Sequence, residues 1–221
     1  MSFRLVALLT LVASTGVAQE QILAVEDEPN HRLIFRNEYL QAFRVTLSPG
    51  ASSLMHTHRH DDVAVRLSDA TMTAEVPGQP AAAPQPFRLG IVSARDNEAK
   101  PFTHRMHNIG TTPFDVVDVQ IMSRPVGAES PPIAEAAAEN PKMRVYRYEL
   151  APGASSPQHT YSRPYLLVAA TAAHLRIALP GGKAIDQPLD AGDLHWVADP
   201  VTHSYTNQGA ARAIFVEIEL K

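Results

Sequence analysis

His56 and His58 stand two residues apart. Side chains at i and i+2 of a strand leave the same face, so a strand through this segment aims both imidazoles into one space. Paired imidazoles are metal ligands. They suit zinc, iron, copper, nickel and manganese alike, so the ring nitrogens do not name the ion. The pair closes a phrase that occurs twice. Residues 49–58 read PGASSLMHTH and residues 152–161 read PGASSPQHTY, identical at seven of ten positions. His104 and Asn108 recur as His203 and Asn207, and Val117-Asp118-Val119-Gln120-Ile121 corresponds to Val216-Glu217-Ile218-Glu219-Leu220. Repetition on this scale makes the chain two copies of one unit. The chemistry differs between the copies: the first has His56 and His58, the second His159 and Tyr161.

The elements that must hold these residues are short strands. Phe43, Val45 and Leu47 alternate with Arg44, Thr46 and Ser48, a period of two. Tyr146, Tyr148 and Leu150 alternate in the same way, as do Leu175, Ile177 and Leu179, and the run from Phe215 to Leu220. Pro49-Gly50 and Pro152-Gly153 end strands with turns, and Pro180-Gly181-Gly182 is a hairpin-like turn. Closely spaced antiparallel strands predict an all-β sandwich or small barrel. A barrel is favoured because closure removes exposed edges.

The 221 residues carry a net charge of −4, so no basic surface invites nucleic acid. Arg4, the apolar run Leu5 to Ala13 and the small-residue exit Ser14 to Ala18 predict a secretory signal over residues 1–18, its core too short to span a bilayer. The expectation is a periplasmic or secreted protein with no membrane span after signal removal. Cysteine is absent, so packing alone must hold the exported fold. Residues 19–37 read as a loose acidic lead-in. Residues 124–141, rich in Pro and Ala, read as a linker with one short helical turn. The stretch from Pro77 to Pro86 reads as a loop that either covers a site or hangs free.

These motifs resemble the cupin superfamily. Gly50, five residues, then His56-Thr57-His58 match its first motif, with Asp62 where the family often has glutamate; His104, three residues, then Asn108 match its second. The second unit repeats the pattern with Gly153, His159, Tyr161, Gly192-Asp193, His203 and Asn207. The resemblance implies a bicupin: two tandem jelly-roll-like barrels (double-stranded β-helices), the first over residues 38–123 and the second over 142–221. It implies a divalent metal (Mn, Fe, Zn, Ni or Cu) held by His56, His58 and His104, and association into a homodimer as in many bicupins. Asp62 shares the strand parity and is a candidate fourth ligand. Its alternatives are a hydrogen-bond acceptor behind a ligand or a surface turn residue. Asp62 and His60 are the candidates for general acid or base; the alternative for His60 is a partly exposed loop histidine. For the three histidines the competing arrangement is a buried, hydrogen-bonded set with no metal.

In the second unit Tyr161 stands in for a histidine and Tyr165 for the acidic residue. Unperturbed phenols keep their protons to about pH 10, so His159, Tyr161, Tyr165 and His203 predict either a metal-free pocket, with Arg163, His195 and Trp196 beside it, or plain packing. Two functions fit. One is an exported metalloenzyme of dioxygenase or decarboxylase type acting on a small molecule. The other is a non-catalytic binding module for a small ligand or metal.

Overall fold

The computed structural model describes residues 20–221; the signal segment expected over residues 1–18 lies outside the described residues. Among the described residues the architecture is all-β, with no α-helix and two single-turn 3-10 segments. No helix there is long and apolar enough to cross a membrane.

Each sequence repeat forms two facing sheets. In the first, one sheet runs His31–Arg36, Leu40–Leu47, Phe114–Ile121, Asp62–Arg66, Val92–Arg95, in that spatial order. Opposite it lie Leu23–Ala24, His56–His58, Phe102–Asn108, Ala70–Glu75 and Gln85–Phe87. The second repeat has the same plan. Ala138–Glu139, Met143–Leu150, Ala213–Leu220, Tyr165–Ala169 and Leu194–Val197 make one sheet; His159–Tyr161, Val201–Asn207, Ala173–Ala178 and Ala184–Leu189 make the other. This is the jelly-roll barrel expected, present twice.

Strand alternation is used on both faces. Phe43, Val45 and Leu47 turn into the first barrel with Phe114 and Val116. Their neighbours Leu40 and Ala42 turn outward. There they meet Val63, Val65, Val117, Val119 and Ile121, and from the second barrel Met143, Val145, Leu166, Val168, Val216, Ile218 and Leu220. The two barrels therefore share one apolar core back to back. Full burial of such a side chain is worth about 1.5–3 kcal/mol, so this seam is the main bond between the repeats. On Phe114–Ile121 the outward positions are apolar, and Asp118 and Gln120 point the other way, into the barrel.

The repeat also exchanges arms across the seam. Arg44 Nη1 donates to Ala191 O at 2.9 Å, and its equivalent Arg147 donates through Nε to Gly90 O at 2.6 Å. Asn108 donates to Leu47 O and Thr112 O while its Oδ1 accepts from Gly110 N. Asn207 makes the same three bonds to Leu150, Ala211 and Gly209. This asparagine fixes backbone geometry in each copy.

Two expectations are corrected, and a third is decided. The lead-in is ordered: Leu23 and Ala24 pair in parallel with His56 and Thr57, and His31–Arg36 pairs with Leu40–Leu47, so the first barrel begins upstream of residue 38. Its acidic residues masked the signal because Glu28 is spent on internal hydrogen bonds. The segment 124–141 holds no helical turn; Ala138–Glu139 is a strand paired with Val145 and Arg144. The Pro77–Pro86 loop is tied down, with Ala82 N donating to Ala74 O and Thr73 Oγ1 donating to Ala82 O, and it forms one wall of a cavity.

Candidate metal centre

Antiparallel pairing sets His56 directly opposite His104, and the two-residue step brings His58 to the same side. The ring centroids of His56 and His104 are 4.6 Å apart, and those of His58 lie 5.1 Å from each. His104 Nε2 faces His58 Nε2 at 3.2 Å, the separation of about 3–4 Å that two nitrogens on one ion require. A fourth imidazole joins them. His31 lies 4.7 Å from His56 between ring centroids, and ligating atoms of His31, His56 and His58 all fall within 4.8 Å of one another.

The outer nitrogens of His56 and His31 are already engaged. His56 Nδ1 donates to Leu54 O at 2.8 Å, so its Nε2 carries the free lone pair. That Nε2 is buried with no hydrogen-bond partner. His31 Nδ1 donates to Glu28 Oε2 at 2.7 Å, and His58 Nδ1 lies 2.8 Å from Asp62 Oδ2. Carboxylates and carbonyls holding the far nitrogen fix the tautomer and ring direction of metal-binding histidines. Asp62 is held in turn by Asn97, whose Nδ2 donates to it at 2.7 Å. The donor set fits a divalent ion.

Protonation follows from burial and neighbours. Burial pulls His56 down to about 4 and His104 down to about 2, with the His58 charge adding to both. Burial likewise lowers His31, against the pull of Glu28. These rings are neutral lone-pair donors at neutral pH. His58 is the exception: burial would lower it, but Asp62 and Asp118 prevail and raise it. Burial works to raise Glu28, yet hydrogen bonds from His31, Leu54 N and Asn30 bring it down to about 2. Asp118, pressed by burial and by the Asp62 charge, is pushed up to about 7.

The histidines open onto a cavity of about 290 Å³. Its far walls are apolar, with Leu47, Met72, Phe87 and Phe114, and Arg66 and Arg95 enter it from neighbouring strands.

The second barrel is closed at the same place. His159 pairs opposite His203, but Glu217 takes the centre. Tyr161 and Tyr205 donate their hydroxyls to its two oxygens, Tyr205 at 2.5 Å. His203 Nε2 lies 3.2 Å and His159 Nε2 3.3 Å from the same carboxylate. Burial works to raise Glu217, but the two imidazoles bring it down to about 2; burial works to lower His159, but Glu217 raises it. Burial and the Glu217 charge push Tyr161, Tyr165 and Tyr205 upward, so they stay phenols. The space is filled because matched interior positions are larger. Tyr148, Phe215, Tyr205 and Leu167 stand where the first barrel has Val45, Val116, Met106 and Ala64.

No protein-family model matches the chain. The β-alanine degradation protein BauB of Pseudomonas aeruginosa is 31% identical over 83 residues, which are 38% of this chain and 86% of that protein. The cupin 2 conserved barrel domain protein of Leptotrichia buccalis superposes with a TM-score of 0.51 at 8% identity, covering 86% of this chain and 87% of that one. A salicylate 1,2-dioxygenase of Pseudaminobacter salicylatoxidans does so with a TM-score of 0.55 at 11% identity, covering 86% and 76%. The chain has the cupin fold.

Measured against the cupin motifs, the structure brings His56, His58 and His104 together and sets Asp62 behind them. Its shorter side chain lies 2.8 Å from His58 Nδ1 and accepts from Asn97 Nδ2. His60 is corrected as an acid–base candidate: it is turned toward Glu98, 3.7 Å away, and is not in the cavity wall. Of the two readings of the second barrel, the observed contacts fit packing. His159, Tyr161, Tyr165 and His203 converge, but on Glu217 and one another, with Tyr165 and His203 stacked at 5.5 Å. Trp196 packs in the shared seam against Phe35 and Tyr39. Sequence reasoning missed His31, Glu28 and Asp118. The available signal for Asp118 was a carboxylate inside an apolar strand in both repeats; His31 lies outside the repeat and had none.

Proposed function

We propose that this cupin is a metal-dependent enzyme acting on a small organic molecule in its first barrel. The observation that carries this is the orphaned, buried His56 Nε2 within a group of four imidazoles facing a cavity. His56, His58 and His104 would hold a divalent ion, with His31 beside them. A bound ion supplies Lewis acidity or oxygen activation. The chain itself supplies the rest. Glu28 and Asp62 keep the rings of His31 and His58 aimed. The apolar wall excludes water from the substrate. Asp118 Oδ2, 3.8 Å from His58 Nδ1 and without a hydrogen-bond partner, holds or gives up a proton near neutral pH, the range in which a general acid or base works best. Export to the periplasm or medium is part of the proposal and rests on the composition of residues 1–18.

The test is metal content by mass spectrometry together with turnover of a panel of small organic acids, β-alanine derivatives included because of the relative's named role. Stoichiometric metal, and turnover lost in His56→Ala, uphold the enzyme. Metal without turnover identifies a binding module. No metal overturns both.

A further inference from the structure

Arg66 brings a positive charge into the cavity of the first barrel with nothing to balance it. It is the last residue of the strand Asp62–Arg66, on the same inward face as Asp62 and Ala64. Its guanidinium carbon lies over the Phe87 ring, 4.1 Å from its centre, a cation–π placement that fixes the head group. Its Nε is buried without a hydrogen-bond partner. Among the described residues no carboxylate pairs with it, and burial alone accounts for the lowering of its pKa. Arg66 is half-buried, so its guanidinium is partly withdrawn from water with no charged partner, and an anion in the cavity offsets that loss. The second barrel shows where the charge is needed. There Ala169 pairs with Phe215 as Arg66 pairs with Val116, so the arginine occurs in the hollow barrel and is absent from the filled one.

We propose that the cavity binds a small organic carboxylate with an apolar body, its carboxylate on Arg66 and its other end toward the histidine cluster. This rests on that cluster being the reactive centre. A single guanidinium with a planar fork of donors matches one carboxylate in bidentate fashion. The apolar lining of Leu47, Met72 and Phe114 suits a hydrocarbon body, and about 290 Å³ is at the small end of ligand sites, about 300–1,000 Å³. Arg95, exposed and stacked 4.0 Å from the Phe102 ring centre, adds positive potential beside the cavity and draws anions in.

The experiment is calorimetric titration of the metal-loaded full chain with 3-phenylpropionate, hexanoate and their primary amides. Carboxylates are expected to bind about 10- to 100-fold tighter than the matched amides, the range for a charge-assisted pair replacing a neutral one. Arg66→Met removes that preference while metal content stays at the wild-type level; Arg66→Lys restores part of it. Equal affinity for acid and amide overturns the proposal, as does a preference that survives Arg66→Met or a failure of every carboxylate to bind at millimolar concentration. The two ideas fail separately. A chain that takes up no metal but keeps the Arg66-dependent preference upholds this site and rejects the metal centre.

Discussion

Asp118 and Glu217 occupy the same point of the two barrels. Asp118 lies across from Phe43 on one side and Ala64 on the other; Glu217 lies across from Tyr146 and Leu167. One methylene and the surrounding ring sizes separate their fates. Glu217 reaches the centre and binds the two histidines and two tyrosines. Asp118 stops short, its Oδ2 has no hydrogen-bond partner, and the histidines in front of it face open space. In the second barrel a side chain fills the place that the first barrel leaves open.

Metal content should follow the layers of the site. His56→Ala and His104→Ala each lose stoichiometric metal. Asp62→Asn and Glu28→Gln keep the rings but lose their anchors, and affinity falls about 10- to 100-fold. Competition against a chelator, read by mass spectrometry, checks this. Wild-type affinity in Asp62→Asn would remove Asp62 from the site.

Metal affinity should fall with acid through one group. His56 and His104 are neutral down to about 4 and about 2, so they take up no competing proton near neutrality. The raised His58 does. As pH falls through its raised pKa, affinity drops about tenfold per unit, the slope for one displaced proton. A titration from pH 8 to 5 tests this, and a slope of two protons would mean that Asp118 or a second imidazole takes up a proton as well.

The Glu217 network should stabilise the second barrel within a pH window. Glu217 is lowered from 4.5 to about 2, so its contribution is present above 4.5 and lost as pH falls toward about 2. His159 is raised from 6.5, so its contribution is present below 6.5 and lost as pH rises through the raised value. The pair is complete between about pH 4.5 and 6.5. Glu217→Gln should cost about 3–5 kcal/mol there and leave metal content unchanged. Thermal unfolding of both proteins across pH 3–9 measures it; superimposable profiles would contradict it.

Transplanting bulk should close the first barrel. Ala64→Leu with Val116→Phe installs two second-barrel residues at matched positions, and the cavity loses the volume a ligand needs. Small-ligand binding should disappear with folding retained, seen by calorimetry and circular dichroism. Overpacking costs about 1–3 kcal/mol, so a moderate fall in melting temperature is expected alongside.

Much of this protein was legible in the sequence, and the reason is periodicity. Alternation in Phe43–Leu47 and Tyr146–Leu150 marks strands because only one face of each can enter a barrel. The repeated PGASS phrase and the His–Asn spacing gave two copies of one unit, and His56-Thr57-His58 gave a same-face pair of ligands, since a two-residue step is fixed by the pleat. Those are local facts. Distances between strands are not. Only the tertiary structure decided that Asp62 stands behind His58, that His60 turns to Glu98, and that His31, from a stretch with no repeat to flag it, lies 4.7 Å from His56. The same holds for the empty and the filled barrel. Each larger residue in the second repeat is unremarkable alone, and the cavity vanishes because Tyr148, Tyr205, Phe215 and Leu167 all point at one volume, a sum that exists only once the sheets have closed.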